Sequence, residues 1–195
     1  MDMPTSLRTM MRISSNESQY IGWLIERLNI DFALSTKPEF WQAMAEAIQH
    51  TNWTHPYRKS LAMLFGLPNS VIQAGMRTHE HSALTKLPET VTIYRGTPML
   101  SIKNKKPLKH DQAISWTLSK AVALRFAKSN AIHGRNENPR LITAKVSKAD
   151  IKLLLLGRGE REIITFKPKV QNIEAVGPGY PGWEVAGTKV NGQLW

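Results

Sequence analysis

The sequence predicts an α+β fold in which a helical N-terminal part precedes a mainly antiparallel β-sheet. Up to about residue 85, apolar residues recur at the three-to-four-residue spacing of amphipathic helices. After Pro88 they are replaced by short, β-branched runs separated by turn residues. The chain of 195 residues is long enough to bury a core. We therefore divide it into a helical part, residues 1–88, and a β-rich part, residues 89–195.

Four helices are expected in the helical part, each opened by capping residues or a proline and continued by an apolar stripe. They cover about residues 14–28, 36–48, 55–65 and 71–76. The capping residues are Ser14 with Glu17, Thr36 with Glu39 and Pro38, and Asn69 with Ser70, and the third helix starts at about His55 and Pro56. The aromatic and methionine residues of these stripes, Met63 among them, are expected to form the core.

The β-rich part is expected to contain several short strands and one helix. The strands cover about residues 91–94, 114–117, 141–146, 151–156, 162–166, 170–176 and 183–185. Ser119 caps a helix that ends near Ser129. Glu160 and Glu162 stand at the start of one strand, where an extended backbone would place both carboxylates on the same face. A solvated strand face is the alternative to a functional site.

The charge of the chain is unevenly distributed. Residues 1–90 hold eight basic and eight acidic groups, so residues 91–195 carry the whole formal charge of +11. Such a basic half favours an anionic partner. The candidates are a phosphorylated ligand, a nucleic acid and an acidic protein. The alternative is a solubilising surface. The lysine-rich loop 103–109 is expected to be solvated, or else to follow a nucleic-acid backbone.

Composition excludes several other classes of protein. Without cysteine the chain has no disulfide, thiolate metal site or cysteine nucleophile, which agrees with a reducing cytoplasm. No apolar run reaches the ~20 residues of a membrane span, and the N-terminus lacks the apolar core of a signal peptide. We expect a soluble, cytoplasmic protein without a membrane partner. His79 and His81 lack further ligands nearby in the sequence, so we expect surface residues and no metal.

Three short motifs in the β-rich part place functional-group residues at strand ends. They are Tyr94-Arg95-Gly96, Ser115-Trp116-Thr117 and Glu160-Arg161-Glu162. In this order they resemble the ADP-ribosyltransferase superfamily, in the branch defined by an Arg, a Ser-x-Ser/Thr and a Glu-x-Glu. The resemblance covers about residues 90–176. The preceding helices are similar in layout to bacteriophage and toxin mono-ADP-ribosyltransferases.

The resemblance implies a split-sheet core, residues 89–195, that binds NAD as a substrate. Glu162 would stabilise the oxocarbenium-like ribose formed when nicotinamide leaves. Ser115 would hold Glu162 or bind the nicotinamide amide. Glu160 would orient and deprotonate an acceptor guanidinium, with Arg158 also contacting the acceptor. The remaining NAD-binding residues would be Tyr94, Arg95, Gly96, Trp116 and Thr117. Of these, Gly96 would allow close approach of the ligand, and Trp116 would either stack on it or pack in the core.

The expected function is therefore mono-ADP-ribosylation of an arginine in a target protein, within a bacterial cytoplasm, by a phage effector or toxin. An inhibitor or antitoxin protein is a further candidate partner. One alternative changes the acceptor to RNA or DNA, which would use the basic half. Two others are an NAD glycohydrolase and a non-catalytic, basic nucleic-acid-binding module.

Overall fold

The computed structural model describes residues 18–50, 57–97, 113–132 and 139–183. It confirms the α+β class, because the described residues form five helices before the first strand and a six-stranded antiparallel sheet after them. The chain divides into two compact units. We call Met1–Lys86 with Lys152–Arg158 the helical unit, and Leu87–Ile151 with Gly159–Trp195 the sheet unit. No helix in the described ranges is long and apolar enough to cross a membrane.

The helices of the helical unit surround an aromatic core. They are α1 (Ser18–Ile30), α2 (Pro38–His50), α3 (Arg58–Leu64), α4 (Asn69–Gln73) and α5 (Thr78–Thr85), with a 3-10 turn at Phe32–Thr36. Trp41 is fully buried and packs edge-on against Phe40 and Phe65, with ring centroids 5.4 and 5.2 Å away. Its indole N–H donates to the carbonyl oxygen of Ser35 at 2.8 Å. The apolar stripe expected for α2 is therefore confirmed as core.

Three details of the helical unit differ from the sequence prediction. The Thr36 hydroxyl donates back to the Ala33 carbonyl at 2.8 Å, so it belongs to the 3-10 turn and does not cap α2. Helix α4 starts at Asn69 itself, whose side-chain oxygen accepts from Lys152 at 2.9 Å. Met63 is 81% exposed and is not a core residue. The predicted cap at Ser14 and Glu17 and the predicted helix start at His55 and Pro56 lie outside the described residues.

The segment Lys152–Arg158 belongs to the helical unit, although the sequence indicated the β-rich part. Glu80 on α5 explains this membership. Its carboxylate is buried and accepts from the backbone N–H of Leu156 at 2.8 Å and of Arg77 at 2.9 Å. A buried carboxylate has to be hydrogen-bonded, so Glu80 ties this segment to α5 within the unit.

Within the sheet unit the strands have the order β5-β2-β1-β3-β6. The strands are β1 (Thr90–Thr97), β2 (Ser115–Thr117), β3 (Arg140–Ser147), β4 (Ile151–Leu155), β5 (Glu162–Thr165) and β6 (Lys169–Ala175). Helix α6 (Lys120–Ile132) follows β2. Strand β1 continues through Arg95 and Gly96 rather than ending before them. The strand predicted at residues 183–185 is wrong at Trp183. The backbone N–H of Trp183 donates to the Tyr180 carbonyl at 2.8 Å and closes a turn. The other residues of that predicted strand lie outside the described chain.

Candidate functional site

Three of the predicted site residues meet on the neighbouring strands β1, β2 and β5 of the sheet unit. The Ser115 hydroxyl donates to Oε1 of Glu162 at 2.5 Å. Arg95 donates from Nη1 to the Ser115 backbone carbonyl, also at 2.5 Å. The antiparallel register explains the first contact, because Thr117 pairs with Glu162 and Ser115 lies two residues away on the same face. Ser115 thus stands between a carboxylate and a guanidinium that are distant in sequence.

The burial of Glu162 gives this group its electrostatic character. Glu162 is only 8% exposed, and a carboxylate in that position requires a donor and a compensating charge. Ser115 supplies the donor, in a bond of the length typical of a hydroxyl on an ionised carboxylate. Burial lowers the pKa of Arg95, and the negative charge of Glu162 opposes that shift. A guanidinium remains charged after such a shift, so Arg95 and Glu162 form a partly desolvated pair of opposite charges.

Glu160 and Glu162 do not lie on one strand face, and that prediction is wrong. Arg161 adopts a left-handed conformation with φ of 47°, and β5 begins only at Glu162. Gly159 is also left-handed, with φ of 69°. The alternation expected of an extended backbone is therefore broken between the two glutamates. The Glu160 carboxylate instead lies 3.7 Å from Nη2 of Arg125 on α6.

Thr117 supports the turn that separates the two glutamates. Its buried hydroxyl donates to the Glu160 carbonyl at 2.5 Å and accepts from the Ser119 N–H at 3.0 Å. The N–H of Leu118 donates to the Arg161 carbonyl at 3.1 Å. Both contacts join the end of β2 to the turn before β5. The hydroxyl is thus used to fix the turn, and a contact of Thr117 with NAD stays a prediction.

Two residues expected to bind NAD have structural roles instead. Trp116 is 2% exposed, and its indole N–H donates to the Ala113 carbonyl at 3.0 Å, so it belongs to the core. A Cβ on Gly96 would lie 1.8 Å from the Ala123 carbonyl oxygen and 2.6 Å from the Ala127 nitrogen. Gly96 therefore permits close packing of α6 on β1. This is a correction to the expectation that its missing side chain makes room for a ligand.

Other predicted residues are placed as follows. Tyr94 is half-buried and packs against an apolar cluster that includes Leu124 of α6 and Trp183. Ser119 accepts from the Val122 N–H at 3.3 Å, as expected of a helix cap. Arg158 lies in the helical unit, where its exposed side chain donates to the Gln49 carbonyl in the last turn of α2. An acceptor-binding role for Arg158 stays a prediction.

The sequence did not indicate two features near α6. One is Arg125, whose contact with Glu160 depends on the turn at Arg161. The other is a group formed by Lys120, Tyr180 and Glu174. The Tyr180 hydroxyl donates to Glu174 at 2.7 Å, and the Lys120 ammonium lies 5.4 Å from the Tyr180 ring centroid. The hydrogen bond with Tyr180 raises the pKa of Lys120. The pKa of Tyr180 is raised mainly by burial and secondly by its hydrogen bond to Glu174.

The histidine pair on α5 contributes no metal-binding cluster. His79 is exposed and His81 is half-buried, while Glu80 between them is engaged with backbone N–H groups. Within the described ranges, no group of three or more His, Cys, Asp or Glu side chains could hold a metal ion. Comparison of the chain with protein-family models, curated proteins and solved structures finds no match.

Proposed function

We propose that the chain is an NAD-dependent mono-ADP-ribosyltransferase that modifies an arginine side chain of a target protein. The observation that carries this proposal is the hydrogen bond from Ser115 to the buried Glu162, beside the guanidinium of Arg95. These residues belong to the three motifs on which the resemblance rests. Replacing a buried ion pair by apolar residues is often neutral or stabilising, so folding alone gives no reason for a buried carboxylate at this position. Their convergence therefore supports a catalytic use.

Glu162 has the properties that cleavage of NAD requires. The bond between ribose C1′ and the nicotinamide nitrogen breaks with both electrons leaving on nicotinamide, and positive charge develops on the ribose. A fixed carboxylate in a site that excludes water stabilises that charge more than a solvated one would. Since Ser115 already holds Glu162, little reorganisation is needed when the charge appears. Removal of one such electrostatic contact costs about 10²–10³ in rate.

Arg95 suits the anionic part of the dinucleotide. A guanidinium has five N–H donors, so Arg95 can donate to the Ser115 carbonyl and to a phosphate oxygen at the same time. Its planar donor geometry matches a phosphate. Because the bond to Ser115 restricts the guanidinium, binding a phosphate would cost less side-chain entropy than it would for a free surface arginine.

Glu160 is the residue proposed to bind and deprotonate the acceptor. A nitrogen of the target guanidinium forms the new bond to C1′, and its proton passes to the Glu160 carboxylate. The contact with Arg125 supports this role, since it puts a guanidinium beside the same carboxylate. The turn through Arg161 also gives Glu160 and Glu162 separate environments, as two carboxylates with different roles require.

A nucleic-acid acceptor is the second candidate, favoured by the charge of +11 located entirely in residues 91–195. It keeps the chemistry at Glu162 and replaces the target arginine by a base or ribose. In either case we place the enzyme in a bacterial cytoplasm as a phage effector or toxin, by similarity of layout. NAD hydrolysis by water and nucleic-acid binding without catalysis are the remaining alternatives.

The test is to incubate the protein with labelled NAD and a bacterial lysate. Glu162→Gln is the inactive variant, expected to lower labelling at least a hundredfold. Glu89→Gln is the matched control, since Glu89 is an exposed carboxylate of the same unit. Protease-sensitive label supports the protein acceptor, and nuclease-sensitive label supports RNA or DNA. NAD consumption without label would indicate a hydrolase, and intact NAD with all three proteins would contradict the proposed chemistry.

A further inference from the structure

Arg125 forms an ion pair with Glu160, which precedes the proposed catalytic Glu162 by two residues. Arg125 is on α6, and its Nη2 lies 3.7 Å from Oε1 of Glu160. The two side chains are 30% and 17% exposed, so the pair is accessible to solvent and to a ligand. At 3.7 Å the contact is an ion pair without the geometry of a direct hydrogen bond. The position and orientation of the guanidinium are therefore only weakly held by Glu160.

The chemistry of this pair matters because Glu160 is the carboxylate proposed to receive the target guanidinium. Both Arg125 and a target arginine are planar cations whose best partner is a carboxylate. A target guanidinium that bonds Glu160 through two nitrogens has to displace Arg125, or share the carboxylate with a second positive charge. Either event weakens binding of the acceptor relative to a site without Arg125.

We propose that Arg125 is a specificity-determining residue that occupies Glu160 in the free protein and competes with the acceptor guanidinium. This inference rests on the proposed transferase function. Arg125 makes acceptor binding weaker and more selective, because a guanidinium that merely enters the site has to overcome an existing ion pair. Small guanidine compounds, which bring no further contacts, are the acceptors most affected.

The experiment measures transfer of ADP-ribose to agmatine, a small guanidine, as a function of agmatine concentration. Arg125→Gln is expected to lower the half-saturating concentration about two- to fivefold, which corresponds to about 0.4–1 kcal/mol for a partly exposed ion pair. Arg125→Met is the second variant, since it removes the charge and keeps an unbranched, largely aliphatic side chain. Lys145→Gln is the matched control, because it removes one positive charge from an exposed site on β3.

The outcomes separate this inference from the proposed function. If the wild-type protein cleaves NAD and labels agmatine, while the Arg125 variants show an unchanged or raised half-saturating concentration, the competition is contradicted and the transferase function stands. The same decrease in Lys145→Gln would also contradict it, because net charge would then explain the effect. If the wild-type protein neither cleaves NAD nor labels agmatine, the proposed function itself fails.

Discussion

Replacing Gly96 by alanine tests whether this glycine serves packing or ligand approach. The added methyl group would lie 1.8 Å from the Ala123 carbonyl oxygen and 2.6 Å from the Ala127 nitrogen. Both are backbone atoms of α6, so no flexible side chain can move aside. An ordinary contact of this kind needs about 3.5 Å, and α6 would have to shift by roughly 1.7 Å relative to β1.

The cost of that shift can be estimated from the effects of overpacking. Extra methyl groups in a packed core cost about 1–3 kcal/mol, and this site belongs at or above the upper end because the obstacle is backbone. Relief of glycine's entropy cost in a strand offsets only about 0.5–1 kcal/mol. We expect a net destabilisation of at least ~2 kcal/mol, which lowers the melting temperature of a chain this long by about 4–8 °C.

Thermal unfolding followed by circular dichroism measures the effect. Gly177→Ala is the matched control, because a Cβ there meets no atom within 4 Å and its φ is not in the left-handed region. The control is expected to melt within about 2 °C of the wild type. A Gly96→Ala protein that melts like the control but binds NAD poorly would refute the packing argument and restore the ligand-approach interpretation.

Three further predictions concern hydrogen-bonded groups. Ser115→Ala removes the hydrogen-bond donor to Glu162. We expect the free energy of unfolding, measured by urea denaturation, to fall by about 1.5–3 kcal/mol, and NAD cleavage to be slower. Unchanged values in both assays would contradict this prediction. Glu80→Gln leaves one backbone N–H facing an amide NH₂ and should lower the free energy of unfolding by about 1–3 kcal/mol. Glu39→Gln, at an exposed position, should lower it by less than ~0.5 kcal/mol. Equal effects of the two variants would contradict the anchoring role of Glu80. The raised pKa of Tyr180 means that its neutral form stabilises the fold below pH 10 and that this contribution is lost as pH rises through the folded-state pKa. The phenolate absorbance that Tyr180→Phe removes should therefore have its midpoint above pH 10, and a midpoint at or below pH 10 would refute the assignment.

The parts of the fold that the sequence predicted correctly are those decided by local patterns. Pro38 and the apolar stripe that follows it indicate α2, because a proline suits the first helical turn and the stripe defines one buried face. Ser119 likewise indicates the start of α6. The order of the three motifs indicates Arg95, Ser115 and Glu162 as site residues. Antiparallel pairing of β1 with β2 and of β2 with β5 brings these residues together.

The parts that could not be predicted depend on contacts between distant residues. Arg161 adopts a left-handed conformation that an arginine seldom takes, and hydrogen bonds from Thr117 and Leu118 hold that turn. Lys152–Arg158 joins the helical unit because Glu80, far away in sequence, accepts from the Leu156 N–H. Met63 lies in a helix of only two turns. So short an apolar stripe does not determine which face of the helix is buried, and Met63 faces solvent.

Departures from ordinary folding preferences cluster around Glu162. A carboxylate is buried there, a guanidinium is desolvated at Arg95, and Arg161 has a strained backbone that costs about 1–3 kcal/mol. None of the three is needed to form an antiparallel sheet, since β-branched residues at positions 95 and 162 would pair equally well or better, and a strand needs no left-handed residue before it. Proteins retain such costs where a fixed charge or an exact backbone path is required for function. The clustering of these costs on β1, β5 and the turn before β5 is therefore a geometric argument, beside the motif resemblance, for the proposed site.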